Sequence, residues 1–430
     1  MSRKPATTPR SVALDLLAAV LDRDRLLDDV LDDSRLAALD ERDRGFVRLL
    51  LATTLRRLGQ IDDLIERCME KPLGAKSAAA THALRLGIAQ LLFLDVAAHA
   101  AISTSVDLVK GTPLAGFAKL VNAVLRRLSR DGAAMVAAQD AALLNTPDWL
   151  WRSWVATYGE DTARAIATAH LTEAPVDITV AADPQGWAEK LEAEILPTGT
   201  LRRRGGGAVA GLAGFDEGTW WVQDVAAALP ARLLGDVAGK AVADLCAAPG
   251  GKALQLAAAG GVVTAVDRSA KRLVRFTANL ARLGLSANVV EADAGAWVPP
   301  APFDAILLDA PCSATGTLRR HPDVARHKNP AEITKLAMVQ ERLLKAAVGM
   351  LKPGGVLVYC VCSLEPQEGV DQVERLLAAG APLRRIPITT DEIGGLADAI
   401  TPAGDLRTLP CHLAEQGGMD AFFAARLQRV

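Results

Sequence analysis

Through the first third of the chain, apolar residues recur at helical spacing. Val12, Leu16 and Val20 stand at i, i+4 and i+8, with Ala13 and Leu17 on the adjoining stripe. The same spacing, broken by polar residues, glycine and proline, predicts further helices over 41–58, 61–68, 78–94, 103–109 and 114–128. Residues 1–140 are therefore expected to form an all-α domain. Arg56, Arg57, Arg126, Arg127 and Arg130 fall at its helix ends, where they can meet phosphates or simply cover a solvated face. Past Asn145 the character changes. Trp149, Trp151 and Trp154 read as helix packing, 176–180 alternates as a strand does, and Arg202, Arg203 and Arg204 before 205–207 read as an exposed turn. A small α+β connecting region over 141–235 is expected. From Lys240 the rhythm is strand, turn, helix. Apolar strands are predicted at 241–245, 262–266, 303–308 and 355–361, with helices at 269–283 and about 330–351. That alternation specifies a largely parallel sheet covered on both faces, a C-terminal α/β Rossmann-like domain over 236–430.

Composition narrows the class. The chain has 430 residues, enough for several cores, and its 50% hydrophobic and 23% charged residues fit a folded protein rather than a disordered one. The first ten residues are polar and basic, and the most apolar stretch, 87–102, is interrupted by Gln90, Asp95 and His99. Neither a signal peptide nor a membrane span is expected, and a cytoplasmic monomer is the reading. Six cysteines, at 68, 246, 312, 360, 362 and 411, lack paired CxxC spacing, so thiols are expected and no metal. The net charge of −2 carries no global nucleic-acid signature, although residues 1–135 hold an excess of three positive charges.

In open α/β sheets ligands bind beyond the carboxyl ends of the strands. After the first strand comes Asp244-Leu-Cys-Ala-Ala-Pro-Gly-Gly-Lys252. Its glycines admit close backbone approach, and the helix that follows offers free N–H groups to a carboxylate or phosphate. It is no Walker A loop, because Cys246 stands five residues before Gly251 and Ala253 follows Lys252. Asp267 ends the second strand, where an acidic residue accepts ribose hydroxyls, and Asp293 after the next apolar run is placed to accept from an adenine amino group. With Asp309 ending a further strand, three acidic strand ends in series point to a nucleoside cofactor, and NAD and S-adenosylmethionine (SAM) both remain open.

Two more segments follow, Asp309-Ala-Pro-Cys-Ser-Ala-Thr-Gly316 and Tyr359-Cys-Val-Cys-Ser-Leu-Glu-Pro-Gln-Glu368. With the 244–252 loop, these runs resemble the RNA cytosine-5 methyltransferases in order and type, and within them the bacterial 16S ribosomal RNA enzymes of the Sun/Fmu group. The resemblance implies SAM as cofactor, small-subunit ribosomal RNA as partner and an N-terminal NusB-like RNA-binding domain. Cofactor contacts are accordingly expected from Cys246, Ala247, Ala248, Pro249, Gly250, Gly251, Lys252, Asp267, Arg272, Asp293 and Asp309.

Cytosine C5 is too weak a nucleophile to take a methyl group unaided, so a thiolate adds first to C6 and makes C5 enamine-like. By resemblance Cys362 is that thiolate, Val361 standing where the family has threonine. Asp309 draws electrons toward N3, Lys252 supports it, and Cys312 matches the cysteine implicated in product release. Cys360, Cys246, Cys68 and Cys411 read as packing thiols, Cys246 meeting the cofactor through its loop. Arg319, Arg320 and His321 read as a basic loop within reach of RNA backbone, and Gly418 to Phe423 resembles the family's DGFF segment with Ala421 in place of glycine. An exocyclic amino methyltransferase would place an aromatic after Asp-Pro-Pro or Asn-Pro-Pro, and none follows Asp309 here. Methylation of transfer RNA and a non-catalytic assembly factor are the rival functions.

Overall fold

The computed structural model describes residues 8–71, 73–205 and 208–430; the opening basic residues and the end of the 205–207 turn lie outside them. The chain divides into two compact units. One runs to Thr172 and takes in Leu318–His327; the other joins Glu173–Thr317 to Lys328–Val430.

The first unit is helical. Its opening helix Pro9–Arg23 is set by a capping box, Thr8 accepting from the Ser11 N–H while Ser11 accepts from the Thr8 N–H, with Pro9 in the first turn. Its apolar stripe, Val12, Leu16, Leu17 and Val20, is buried against Glu41–Arg56 and Ala78–Phe93. The helices Ala98–Lys110 and Ala118–Ala137 complete the core. The helical pattern does not stop near 140. Gln60 donates to Gln139 at 3.0 Å, the Gln60 N–H to Asn145 at 3.1 Å and Arg57 to the Leu171 carbonyl at 3.1 Å, so the helices Ala141–Asn145, Asp148–Tyr158 and Glu160–Ala169 belong to this unit. Trp154 is fully buried, as expected of helix packing. Arg56 and Arg57 are spent inside the unit, whereas Arg126, Arg127 and Arg130 are exposed.

The second unit holds two sheets. A small antiparallel one, β1 (Val176–Val180), β2 (Glu194–Ile195), β3 (Leu201–Arg203) and β4 (Trp220–Val222), runs in the order β2-β3-β1-β4. Its register corrects one expectation. Arg202 is no exposed turn residue: it is 1% exposed in β3 and bonds both oxygens of buried Asp177 at 2.7 Å. Strand alternation turns Arg202 inward while Arg204, past the strand end, stays exposed. The large sheet contains β5 (Ala241–Leu245), β6 (Val262–Asp267), β7 (Asn288–Glu291), β8 (Phe303–Asp309), β9 (Leu351–Val361), β10 (Leu383–Arg385), β11 (Leu406–Arg407) and β12 (Phe423–Arg429). Its order is β10-β12-β9-β8-β5-β6-β7, parallel from β5 to β9, with β12 antiparallel to β9 and β11 against β12. Period-2 alternation fills both faces: Leu307 and Val358 pack with Leu254 and Phe276 on one, Ile306, Leu308 and Tyr359 with Leu343 and Ala347 on the other. Because β6 and β8 flank β5, the order reverses beside the β5 carboxyl end, where ligands bind in such sheets.

Candidate active site

The β5 end opens into the loop that starts the helix Gly251–Ala258. Cys246 turns the chain with φ 66°, a left-handed conformation unfavourable for a side chain and found where a loop is held for function. Gly250 has φ 110°, and a Cβ there would lie 2.0 Å from the Phe276 ring, so only glycine fits. The Ala248–Pro249 peptide is cis. Asp267, 2% exposed at the end of β6, grips this loop. It accepts from the Ala248 N–H at 3.1 Å and the Ser269 N–H at 2.9 Å, and Arg272 lies 3.6 Å away. A carboxylate offers about four lone-pair sites, so it can accept from hydroxyl donors besides these two N–H groups. Asp293 accepts from the Gly295 N–H at 2.9 Å and from Arg342 at 3.0 Å, and the Arg342 bond draws its pKa below the usual carboxylate range. Cys246, Asp267, Arg272, Asp293, Pro311 and Arg342 line one open cleft.

Beneath the loop, Asp244 is 1% exposed and neither carboxylate oxygen meets a donor among the described residues. Burial first, then the neighbouring Asp309 charge, lifts its pKa well above the usual value. An orphaned acid and a cradle that a Cβ would fill are features of a site shaped for a ligand.

The ends of β8 and β9 bring the reactive groups together. The Lys252 ammonium donates to Asp309 at 2.8 Å and lies 4.8 Å from the centre of the Phe422 ring. Burial is the largest single effect and disfavours its charge, but the attractions of Asp309 first, and of the Cys360 and Cys362 sulfurs, together outweigh it and the net shift is upward, so Lys252 stays protonated. On the other Asp309 oxygen stands the Cys360 thiol at 3.6 Å, buried and pushed up by that burial. Sγ of Cys312 lies 3.4 Å from Sγ of Cys362. Hydrogen bonding to Cys362 and then burial raise the Cys312 pKa well above its usual value. Backbone bonds lock the two loops in register: Ala310 N–H to Cys360 O and Gly316 N–H to Cys362 O, both 3.0 Å.

Of the expected residues, the 246–252 loop, Asp267, Arg272 and Asp293 border the cleft or its loop, and Lys252, Asp309, Cys312 and Cys362 cluster at the adjoining strand ends. Arg319, read as part of a basic loop, is 1% exposed within the helical unit and its carbonyl accepts from Arg56 at 3.0 Å. Sequence reasoning gave no role to Glu368 or Arg342. The serine after each reactive cysteine is plain in the sequence, but only the fold shows that both donate to this one buried carboxylate.

Comparisons with known proteins place the chain. The 16S rRNA methyltransferase RsmB/F family matches residues 231–428, and the NusB family matches residues 7–130. The ribosomal RNA small subunit methyltransferase B of Pseudomonas syringae pv. tomato is 37% identical over 444 residues, covering 98% of this chain and 97% of that protein. Its counterpart in Xylella fastidiosa strain Temecula1 is 38% identical over 436 residues, covering 97% of each. Among solved structures, that of PH0851 covers 99% of this chain and 100% of its own at 20% identity and TM-score 0.76, a likeness of fold. A methyltransferase homolog protein from Pyrococcus horikoshii is 26% identical with TM-score 0.55, over 65% of this chain and 94% of that one. Near-complete coverage at this identity, with both domain families in order, means that the chain belongs to the ribosomal RNA small subunit methyltransferase B family, a NusB domain followed by an RsmB/F methyltransferase domain.

Proposed function

We propose that the chain transfers a methyl group from SAM to C5 of a cytosine in 16S ribosomal RNA, through a covalent bond between Cys362 and C6. The observation that carries this reading is the pair of thiols 3.4 Å apart at the ends of two strands bordering the cofactor cleft, beside the Lys252–Asp309 ion pair. SAM supplies an electrophilic methyl group. The residues present suit it: free N–H groups at Gly251 for its carboxylate, Asp267 for ribose hydroxyls, Asp293 for the adenine edge and an orphaned acid at Asp244 for a donor.

The chemistry follows from the residues. Cys362, as thiolate, adds to C6, and electrons move toward N3, where the proton-rich Lys252–Asp309 pair supplies a hydrogen bond or proton. C5 then takes the methyl group. Cys312 keeps its proton in the resting pair; once that proton has passed to solvent, its thiolate, a correspondingly strong base, takes the C5 proton, the C–H electron pair reforms the C5=C6 bond and Cys362 leaves as thiolate. The target base must be unpaired or flipped out of its stack for C6 to reach the thiol.

The test is incubation of wild type, Cys312→Ala and Cys362→Ala with SAM and small-subunit ribosomal RNA, then denaturing electrophoresis. A stable protein–RNA band in Cys312→Ala that is missing in Cys362→Ala is expected. Methyl incorporation by wild type with no band in any variant would refute the adduct. Incorporation into transfer RNA but not ribosomal RNA would move the substrate.

A further inference from the structure

We propose that Glu368 is a positioning residue that sets the separation of the two thiols by gripping the serine that follows each of them; the inference rests on the functional reading above. Glu368 is 0% exposed. One carboxylate oxygen accepts from the Ser313 N–H at 2.9 Å and from Gln340 at 3.1 Å; the other accepts from the hydroxyls of Ser313 and of Ser363, the latter at 2.6 Å. Ser313 is the residue after Cys312, and Ser363 the residue after Cys362. One buried anion thus receives four donors, two of them from hydroxyl groups on opposite loops, and a hydrogen bond to a charged group is about twice as strong as a neutral one.

The clamp is itself held. Gln340 also donates to the Pro311 carbonyl at 2.9 Å, and the Tyr359 hydroxyl donates to the Glu368 carbonyl. Ser363 passes the constraint on, accepting from the Glu365 N–H at 3.0 Å. The backbone bonds between the loops fix strand register, but a thiol can still swing about its own side-chain torsions. Fixing the residue immediately after each cysteine limits the backbone freedom that would let the two sulfurs part. Glu368 touches neither substrate nor sulfur; it acts through Ser313 and Ser363.

A glutamine at 368 keeps the shape but replaces one acceptor oxygen with an NH2 group facing donors. The readout is the thiol pair itself. In glutathione buffers, glutathione disulfide takes both hydrogens from Cys312 and Cys362, leaving one protein S–S bond and two glutathione thiols, and peptide mapping of the full chain gives the effective molarity of the pair. Glu368→Gln is expected to lower that effective molarity by about tenfold or more, and kcat for methylation similarly, while SAM affinity and KM for RNA stay within about twofold. Ser363→Ala, which removes one arm, is expected to lower both by about threefold. A SAM-binding Glu368→Gln whose effective molarity equals or exceeds that of wild type overturns the clamp. Should Glu368→Gln fail to bind SAM, Ser363→Ala decides by the same rule. Thiol exchange needs neither RNA nor methyl transfer. Loss of the cytosine reading would therefore show in the adduct assay alone, and loss of the clamp in the thiol equilibrium alone.

Discussion

Cys312 and Cys362 carry the same side chain, and their surroundings make them unequal. The first cause of the raised Cys312 pKa is its hydrogen bond with Cys362, ahead of burial. Removing that partner must therefore lower it. In Cys362→Ala, alkylation of Cys312 by iodoacetamide at pH 8 is expected to quicken about tenfold, because the thiolate is the reactive form. Mass spectrometry of the 312 peptide reads it, and an unchanged rate would assign the whole shift to burial. Asp309 poses the converse question. With asparagine there, buried Lys252 loses the largest of the attractions that offset its desolvation, so its pKa must fall. Adduct formation in a Cys312→Ala, Asp309→Asn double variant is expected to slow by about 10²-fold or more relative to Cys312→Ala, with SAM still bound. A loss confined to SAM affinity would make Asp309 a cofactor residue only.

At the scale of elements, the cofactor loop depends on a backbone conformation as much as on side chains. Gly250→Ala introduces a Cβ at φ 110° and 2.0 Å from Phe276, which sits fully buried in the sheet-facing core. The expected cost is about 1–3 kcal/mol of stability, with weaker SAM binding, read by urea unfolding and calorimetry. The parallel strands were legible because strand and helix periodicities alternate cleanly from Ala241 onward, and the reactive residues stand where such strands end. Arg202 was not, since a run of three arginines before glycine gives no hint that the first pairs with Asp177 across a strand. Nor was the work of Glu368 visible. Its partners come from residues 313, 340 and 363, and a single sequence cannot say which of many serines faces a given carboxylate. The motif showed the thiols; only the packing shows what holds them.

At the scale of the whole molecule, a linear reading assigns each stretch to one domain in turn, and this chain does not obey it. Leu318–His327 follows the Cys312 loop in sequence yet belongs with the helical unit, where Asp323, 2% exposed, accepts from the Leu27 N–H at 2.8 Å. Leu318 and Pro322 help line the cavity in that unit that also meets His170. The His170 ring is tilted against that of Trp154, centroids 5.4 Å apart, and neither of its ring nitrogens has a hydrogen-bond partner among the described residues. Burial first, and then the charge of Arg319 from the returning segment, push its pKa from 6.5 down to about 3. In the unfolded chain the imidazole binds a proton near its ordinary value, so between those two pH values the unfolded state holds more protons than the native one. Stability from this group is therefore fully present above about pH 6.5 and is lost as pH falls toward about 3. His170→Gln, which cannot titrate, should unfold with a shallower acid dependence than wild type across that window. Urea midpoints at steps of pH test it: parallel curves would mean that the buried imidazole takes up its proton without unfolding, and a wild-type curve that falls away from the variant's would show the returning segment closing over a neutral histidine.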